Sequence, residues 1–486
     1  MGETLPDAVR IASDERLGTT QSGLLVSVVG KAREIRFFET LTEGLALKHK
    51  SVIYSQQNRI ETIAASVAVG CRHTSEIQTR LVPDRVAADL FGMEHFPDQS
   101  QINGFLRACG PPQVAHLEAA HARLLRDNSR VAERSRWWKS PTGKRLLTID
   151  LDQTPLVTRG TTATGATRGY FGRKRGQLGY KKSVALLGGS VREILWQRLG
   201  PGHEHGQDAV APALAAMRDL AAAHGLLPHE LLWRADSQYG STVCVRQFQA
   251  AGHHYLLKGY HPRTAQHVAE SLDPSAVWTS LGTDSNGSRL WVVDAGPQDL
   301  RGHDDPADLP PVQTRVILLV RVRWSTRKKH GRGAPDTVSE KHVSCEHYLT
   351  DLPASVLSPA EVIATYNGRE SQEGLFQSEQ DIFGADHLRT RHQEGEAVFL
   401  WILASTINLL RWVQHSTFQG TPIENLGLRR LVTDVIHVPA TVVRQVSSWT
   451  LQLPALAWIT RQLVNLRLPT FAIQTSFAFS YGNNSP

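Results

Sequence analysis

Apolar residues recur along this chain in two rhythms, and the change between them falls near residue 144. From about 55 to 135 the spacing is helical. "RVAADLFGMEHFPDQSQINGFLRACG" predicts two short helices broken at Pro97, the second started by an Asp or Ser cap. A longer helix follows in "PQVAHLEAAHARLLRDNSRVAERSRWW". Its many arginines suit a helical DNA-binding region, and a plain helical bundle fits the same pattern.

After residue 144 the rhythm becomes that of strands. "KRLLTIDLD", "KSVALLGG" and "REILWQRL" predict three strands separated by glycine turns. "DAVAPALAAMRDLAAAHG" predicts an amphipathic helix ending at Gly225. "ELLWRADSQYG" reads as a strand breaking at Asp236, "STVCVRQFQAAG" as a helix stopped by Gly252, and "HHYLLKGY" as a strand. Three strands, helix, strand, helix, strand predict an α/β layer fold with a mixed sheet. From 263 to 356, "SAVWTSLG", "SRLWVVDAG", "TRVILLVRVRWS" and "KHVSCEHYLT" are strand-like between Pro-, Gly- and Asp-rich turns, which predicts an all-β insertion. Helices resume with "SPAEVIATYNGRESQEGLFQSEQDIFG" and with "AVFLWILASTINLLRWV". The latter, carrying Ser405, Thr406 and Asn408 and shorter than a membrane span requires, predicts a buried core helix.

Composition narrows the class. A hydrophobic content of 41% with 20% charged residues excludes a disordered chain, and 486 residues predict two to four domains. The net charge of +7 permits a polyanionic partner without requiring one. Four scattered cysteines without a CxxC argue against a disulfide scaffold or cysteine zinc site, and the start "MGETLPDAVR" shows no signal-peptide core. A cytoplasmic protein without membrane contact is the expectation.

The chemistry concentrates in "YNGRESQEGLFQSEQ" (366–380). At 100° per residue, Arg369 lies roughly 60° from Tyr366, Glu373 about 20° and Gln380 about 40°, so all four share one face of a continuous helix. Ser358 and Pro359 suit its start. Gly368 costs about 1 kcal/mol relative to Ala, which implies close approach of something to the backbone. Taken alone, the stripe is also what a solvated face with an Arg–Glu pair looks like.

"TIDLDQTP" and "WRADSQYG" each end an apolar strand with Asp, where α/β folds place catalytic side chains. Asp150 and Asp152 fall on one strand face. A desolvated carboxylate is costly without a partner, although Asp236 also has the makings of a helix cap. Two strand-end aspartates and a helix glutamate are the parts for a pair of hard, oxygen-ligated cations such as Mg²⁺.

Together these residues resemble a DDE transposase of bacterial insertion sequences, within the cut-and-paste group marked by a Tyr-x2-Arg-x3-Glu-x6-Lys helix. Tyr366, Arg369 and Glu373 match that spacing, while Gln380 stands where the family has Lys. "DLDQT" aligns with the family's Asp-x-Thr strand through Asp152 and Thr154, with Asp150 as the alternative, and "WRADSQYG" aligns through Asp236. The similarity covers roughly residues 80–420. It implies an RNase H-like core, with Asp152, Asp236 and Glu373 as catalytic and metal-binding residues using Mg²⁺, for which Mn²⁺ would substitute. It also implies double-stranded DNA as partner and homodimers on DNA. Tyr366 and Arg369 would contact DNA phosphates, and Gln380 would hydrogen-bond there without charge.

Basic stretches fit that picture. "RGYFGRKRGQLGYKK" carries Arg173, Lys174, Arg175, Lys181 and Lys182, suited to gripping a DNA backbone or simply to a solvated hairpin. "RVRWSTRKKHGRG" adds Trp324, which suits stacking on a displaced base or ordinary packing. His203, His205, His253 and His254 lack zinc-site spacing and read as turn or surface residues. The organisation expected is a helical, DNA-binding region over 1–140, the core over 141–262, the β-rich insertion over 263–356, the second core part with the glutamate helix over 357–420, and a dimerising or DNA-contacting region over 421–486. The competing readings are a DNA-binding protein that has lost cleavage, and a metal-dependent nuclease without strand transfer.

Overall fold

The computed structural model describes residues 17–47, 53–158, 162–171, 176–189, 191–302, 305–327, 338–369, 380–385, 387–444 and 449–453. It opens with β1 (Leu17–Thr20) and helices α1 (Leu25–Glu34), α2 (Phe37–Thr42), α3 (Gln56–Ala68), α4 (Arg85–Leu90), α5 (Gln99–Ala108) and α6 (Pro111–Asn128). The break at Pro97 is real. Asp98 caps α5 by accepting from Gln101 N, and Gln101 Oε1 accepts from Asp98 N in return.

The three strands, helix, strand, helix and strand expected between 144 and 262 all form, with two short strands in addition. In chain order they are the short β2 (Trp138–Lys139), β3 (Arg145–Val157), the short β4 (Thr167–Arg168), β5 (Leu178–Leu187), β6 (Ile194–Pro201), α7 (Gln207–Ala223), β7 (Leu231–Ala235), α8 (Thr242–Ala251) and β8 (His254–Lys258). Gly252 ends α8 with φ of 69°, the left-handed conformation a side chain would resist. Then come α9 (Pro262–Glu270), β9 (Thr279–Thr283), β10 (Arg289–Leu300), β11 (Val312–Arg327), β12 (Val338–Thr350), α10 (Pro359–Asn367) and α11 (Gln393–Thr417). Among the described residues the last strands are β13 (Ala440–Arg444) and β14 (Trp449–Gln452), and β13 pairs with β1 on one side and β14 on the other.

Among the described residues the main sheet has eleven strands in the order β4-β5-β3-β7-β8-β12-β11-β10-β9, with β6 beside β5 and β2 beside β3. β3, β7 and β8 run parallel, and the other pairings are antiparallel. The segment 263–356 is not purely β, since α9 opens it. Nor do its strands form a sheet of their own: Tyr348, Leu349 and Thr350 of β12 pair with Lys258, Leu257 and Leu256 of β8. The core sheet therefore continues into them.

Alternation along the strands sorts the core. Leu232, Leu256, Ile317, Leu319 and Tyr348 cluster with Val362 and Ile363 of α10 on one face. Trp233 and Tyr255 point the other way, onto Phe248 of α8. α11 is 25 residues long, enough by length and apolar character to cross a bilayer, so it is longer than its apolar run implies; its apolar window is wholly buried inside the protein. The polar residues in that window have partners. Asn408 accepts from Ile194 N at 2.8 Å and donates to Ile194 O at 2.9 Å, and His121 bridges Ser405 to the same carbonyl. They clip α11 and α6 onto β6.

Glu396, also on α11, accepts from the backbone N–H groups of Arg389 and Thr390. Burial pushes its carboxyl up to about 7, against the pull of those bonds and of the Arg389 and Lys182 charges. The folded state thus holds this proton more tightly than the unfolded chain does, so stability falls as pH rises from about 4.5 to about 7. Glu396→Gln is expected to raise Tm at pH 8, by the equivalent of on the order of 3 kcal/mol at most, and to leave it unchanged at pH 4.5. Melting curves at the two pH values check this.

Candidate active site

The register of three parallel strands builds the site. Leu151 of β3 lies beside Ala235 of β7, and Ala235 beside Leu257 of β8. One residue further, each strand carries a charged side chain: Asp152, Asp236 and Lys258. They stand in a row where the parallel pairing ends, although β3 itself runs on to Val157 so that Asp152 does not close its strand as expected, and the charge of Asp236 acts on Asp152. Burial pushes the Asp152 carboxyl up to about 7, opposed by Arg369 and reinforced by Asp236. Burial also raises Asp236, opposed by the Gln238 N–H and by the charges of Arg369, Lys258 and Lys181. Asp236 is in addition a cap, its Oδ1 accepting from Gln238 N at 3.0 Å. Capping and proximity to Asp152 coexist.

Arg369 spans the site. Its Nη2 lies 3.4 Å from Asp152 Oδ2, and its Nη1 donates to Tyr366 Oη at 2.9 Å, with the guanidinium 5.3 Å from the Tyr366 ring centre. Burial opposes the Arg369 charge, yet Tyr366 and the aspartates together hold its pKa above the ordinary value. Tyr366 packs edge-on against Tyr348 of β12 at 4.9 Å, and burial pushes its hydroxyl up to about 12. Tyr239 is fully buried, and burial with the nearby Asp152 and Asp236 charges holds its hydroxyl protonated.

The helix carrying this group is shorter than its sequence implies. Ser358 caps α10 and Glu361 returns the bond, as expected, but the helix stops at Asn367 and Arg369 lies in the following turn. Arg369 therefore meets Tyr366 through the turn and not along a shared helix stripe. Gly368 admits a close neighbour at this point: a Cβ there would come within 3.0 Å of Arg234 Nη1. That guanidinium donates to Thr365 O at 2.8 Å and closes on both oxygens of Asp150 at 2.7 and 2.8 Å. Register sets Asp150 directly beside Arg234. Asp150 is thus a buried partner of Arg234.

Glu373, Arg173, Lys174 and Arg175 lie outside the described residues, and Gln380 is helical and half-buried. Lys181 and Lys182 are buried in β5, not solvated. Lys181 lies over the Phe171 ring and its charge reaches Asp236; Lys182, 2% exposed and close enough to Glu396 to lower its pKa, has no surface to offer a DNA backbone. Trp324 is 60% exposed, with Lys341 over its ring. Seven residues from Ile317 on a strand without a bulge against β12, it points to the face opposite Lys258 and Tyr348, which separates it from the site. The histidines do not converge: His203 meets Thr167, His253 accepts from Trp233, and His254 lies between Asp351 and Lys144.

Lys258 is the residue the sequence reading passed over. Its signal was the one used for Asp236, a charged side chain closing an apolar strand in "HHYLLKGY". Among the described residues no group of three or more His, Cys, Asp and Glu side chains is placed to share a metal ion. The two aspartates nevertheless form a hard, desolvated oxygen donor set, which a divalent cation suits.

Paired carboxylates on adjacent parallel strands, Asp152 within β3 and Asp236 just past β7, with an arginine beside them, suit the handling of a charged, oxygen-rich group. A family model described as a transposase DDE domain matches residues 143–409, more than half of the chain, and the chain belongs to that family. No curated protein matches it. The matched stretch contains Asp152, Asp236, Tyr366 and Arg369, and membership implies DNA as the partner and DNA cleavage and transfer as the class of chemistry.

Proposed function

We propose that this protein is a cut-and-paste transposase that binds the terminal inverted repeats of its own element as a homodimer and cuts and rejoins DNA. The observation that carries the reading is the register of β3 against β7, which lines up Asp152 and Asp236 under Arg369. The order β6-β5-β3-β7-β8, three antiparallel neighbours followed by two parallel strands each reached through a helix, supports an RNase H-like core. In that reading β9–β12 are an insertion ahead of the glutamate, extending the core sheet from the edge of β8.

Asp152 and Asp236, with Glu373 as third ligand, would hold Mg²⁺ or Mn²⁺. Such ions supply activation of the attacking oxygen and stabilisation of the leaving one. The protein's own residues do the positioning. Arg369, steadied by Tyr366, presents a planar guanidinium to a phosphate oxygen beside the aspartates. Tyr366 is in turn held by Tyr348, so β12 supports the phosphate contact from behind.

The test uses labelled duplexes carrying the two ends of the element that encodes the chain, with Mg²⁺ or Mn²⁺ and a target plasmid. Release of the ends followed by a joined product supports the proposal. Broken DNA without joining would make the protein a nuclease, and tight binding without cutting a degenerate copy. Gln380 can offer a phosphate only an uncharged hydrogen bond. Gln380→Lys is therefore expected to equal or exceed the parent in end release; a collapse of activity would show that the segment from 380 is used differently.

A further inference from the structure

We propose that Lys258 is a phosphate-binding residue of this site, clamping a DNA phosphodiester from the side of Asp236 as Arg369 does from the side of Asp152. This deepens the proposed function and rests on it. Three observations carry it. The first is position: Lys258 follows Leu257 as Asp236 follows Ala235 and Asp152 follows Leu151, so the row reads carboxylate, carboxylate, ammonium across adjacent parallel strands. The second is charge: Lys258 acts on Asp236, beside the buried Lys181 and Arg369, and Arg369 also lies 3.4 Å from Asp152.

The third is the way Lys258 is held. Its Nζ lies 3.1 Å from Glu346 Oε1 on β12. Glu346 Oε2 accepts from Tyr348 Oη at 3.1 Å, with Arg321 3.7 Å away. The carboxylate is thus fixed by its neighbours, while the ammonium it steadies is about one-third exposed. Lys258 and Glu346 keep 31% and 24% of their side-chain surface in water, so a phosphate can reach the ammonium beside Glu346. From Lys258 through Glu346, Tyr348, Tyr366 and Arg369 to Asp152, the contacts form a continuous chain of side chains. β12 thereby orients both flanking cations, Lys258 through Glu346 and Arg369 through the Tyr348–Tyr366 pair.

The experiment compares the full-length protein with Lys258→Met, Lys258→Arg and, as a control for loss of one surface charge, Lys139→Met on exposed β2. A fluorescein-labelled 40-base-pair duplex is titrated by anisotropy over a KCl series, and nicking of supercoiled plasmid is followed with Mn²⁺. Lys258→Met is expected to slow nicking about 10–100-fold and to flatten the plot of log affinity against log[KCl] by about one. Lys258→Arg keeps the slope, and Lys139→Met nicks as the parent does. Unchanged slope and nicking in Lys258→Met would overturn the proposal. So would slowed nicking with an unchanged slope, which marks Lys258 as a structural partner of Glu346. If the parent binds DNA but never nicks it, the transposase reading fails, and the slope comparison still decides whether Lys258 meets phosphate.

Discussion

Asp152→Asn and Asp236→Asn are each expected to abolish metal-dependent DNA cleavage, by about 10³-fold or more, while DNA binding and the fold survive. The size follows from their place: removing one of two carboxylates that share a cation leaves too few charged donors to hold it. A second readout needs no activity. Both carboxylates sit above their ordinary pKa because burial disfavours their charge, with the Asp236 charge adding to the effect at Asp152. In the metal-free protein, stability at Asp152 falls as pH rises from about 3.8 to about 7. At pH 8 without metal, each asparagine variant should therefore melt at a higher temperature than the parent. Adding Mn²⁺ should raise the parent's Tm, because the ion binds only the folded state, and should leave the variants nearly unmoved. A parent indifferent to Mn²⁺ and variants that still cut would remove these aspartates from the site.

Asp150→Asn, two residues away, is expected to behave in the opposite way. Asp150 and Arg234 are 0% and 3% exposed and joined by two short hydrogen bonds. Removing one partner leaves an uncompensated buried charge, which costs about 3–5 kcal/mol. Arg234 also holds Thr365 O, one residue before Tyr366, so Arg234→Met should loosen the end of α10 as well. Both variants should lose midpoint in urea and lose binding and cleavage together. The double variant, lacking both charges, should recover much of the stability, and urea unfolding of all three measures the coupling. If Asp150→Asn folds normally and fails only in cleavage, the assignment of Asp152 to the site is wrong by one turn of the pleat.

The contrast between these two aspartates shows where the sequence is legible. Both end the same apolar run, and alternation puts them on one face. What separates them is the neighbour across a parallel pairing, Arg234 for Asp150 and the strand-end Asp236 for Asp152, and that register joins positions more than eighty residues apart in sequence. Local signals were readable: the caps Asp98 and Ser358, the stop at Gly252, and the strand ending at Asp236. The partner behind Gly368 was not, because Arg234 approaches it from another strand. Lys181 and Lys182 misled for a related reason. Their charge argues for water, but β5 lies between β3 and β6, and pairing on both sides buries them.

The pairing of β1 with β13 brings Leu17 to Val443 and Thr20 to Ala440. On the ribosome, the first strand must wait for nearly the whole chain before its partner emerges. α1, α3, α5 and α6 wait likewise for α11, against which they pack. Throughout synthesis the early helices would carry uncovered apolar surface, the condition in which nascent chains stick to one another or to chaperones. Yield in the cell should therefore depend more on chaperone supply than the melting temperature of the finished protein would indicate.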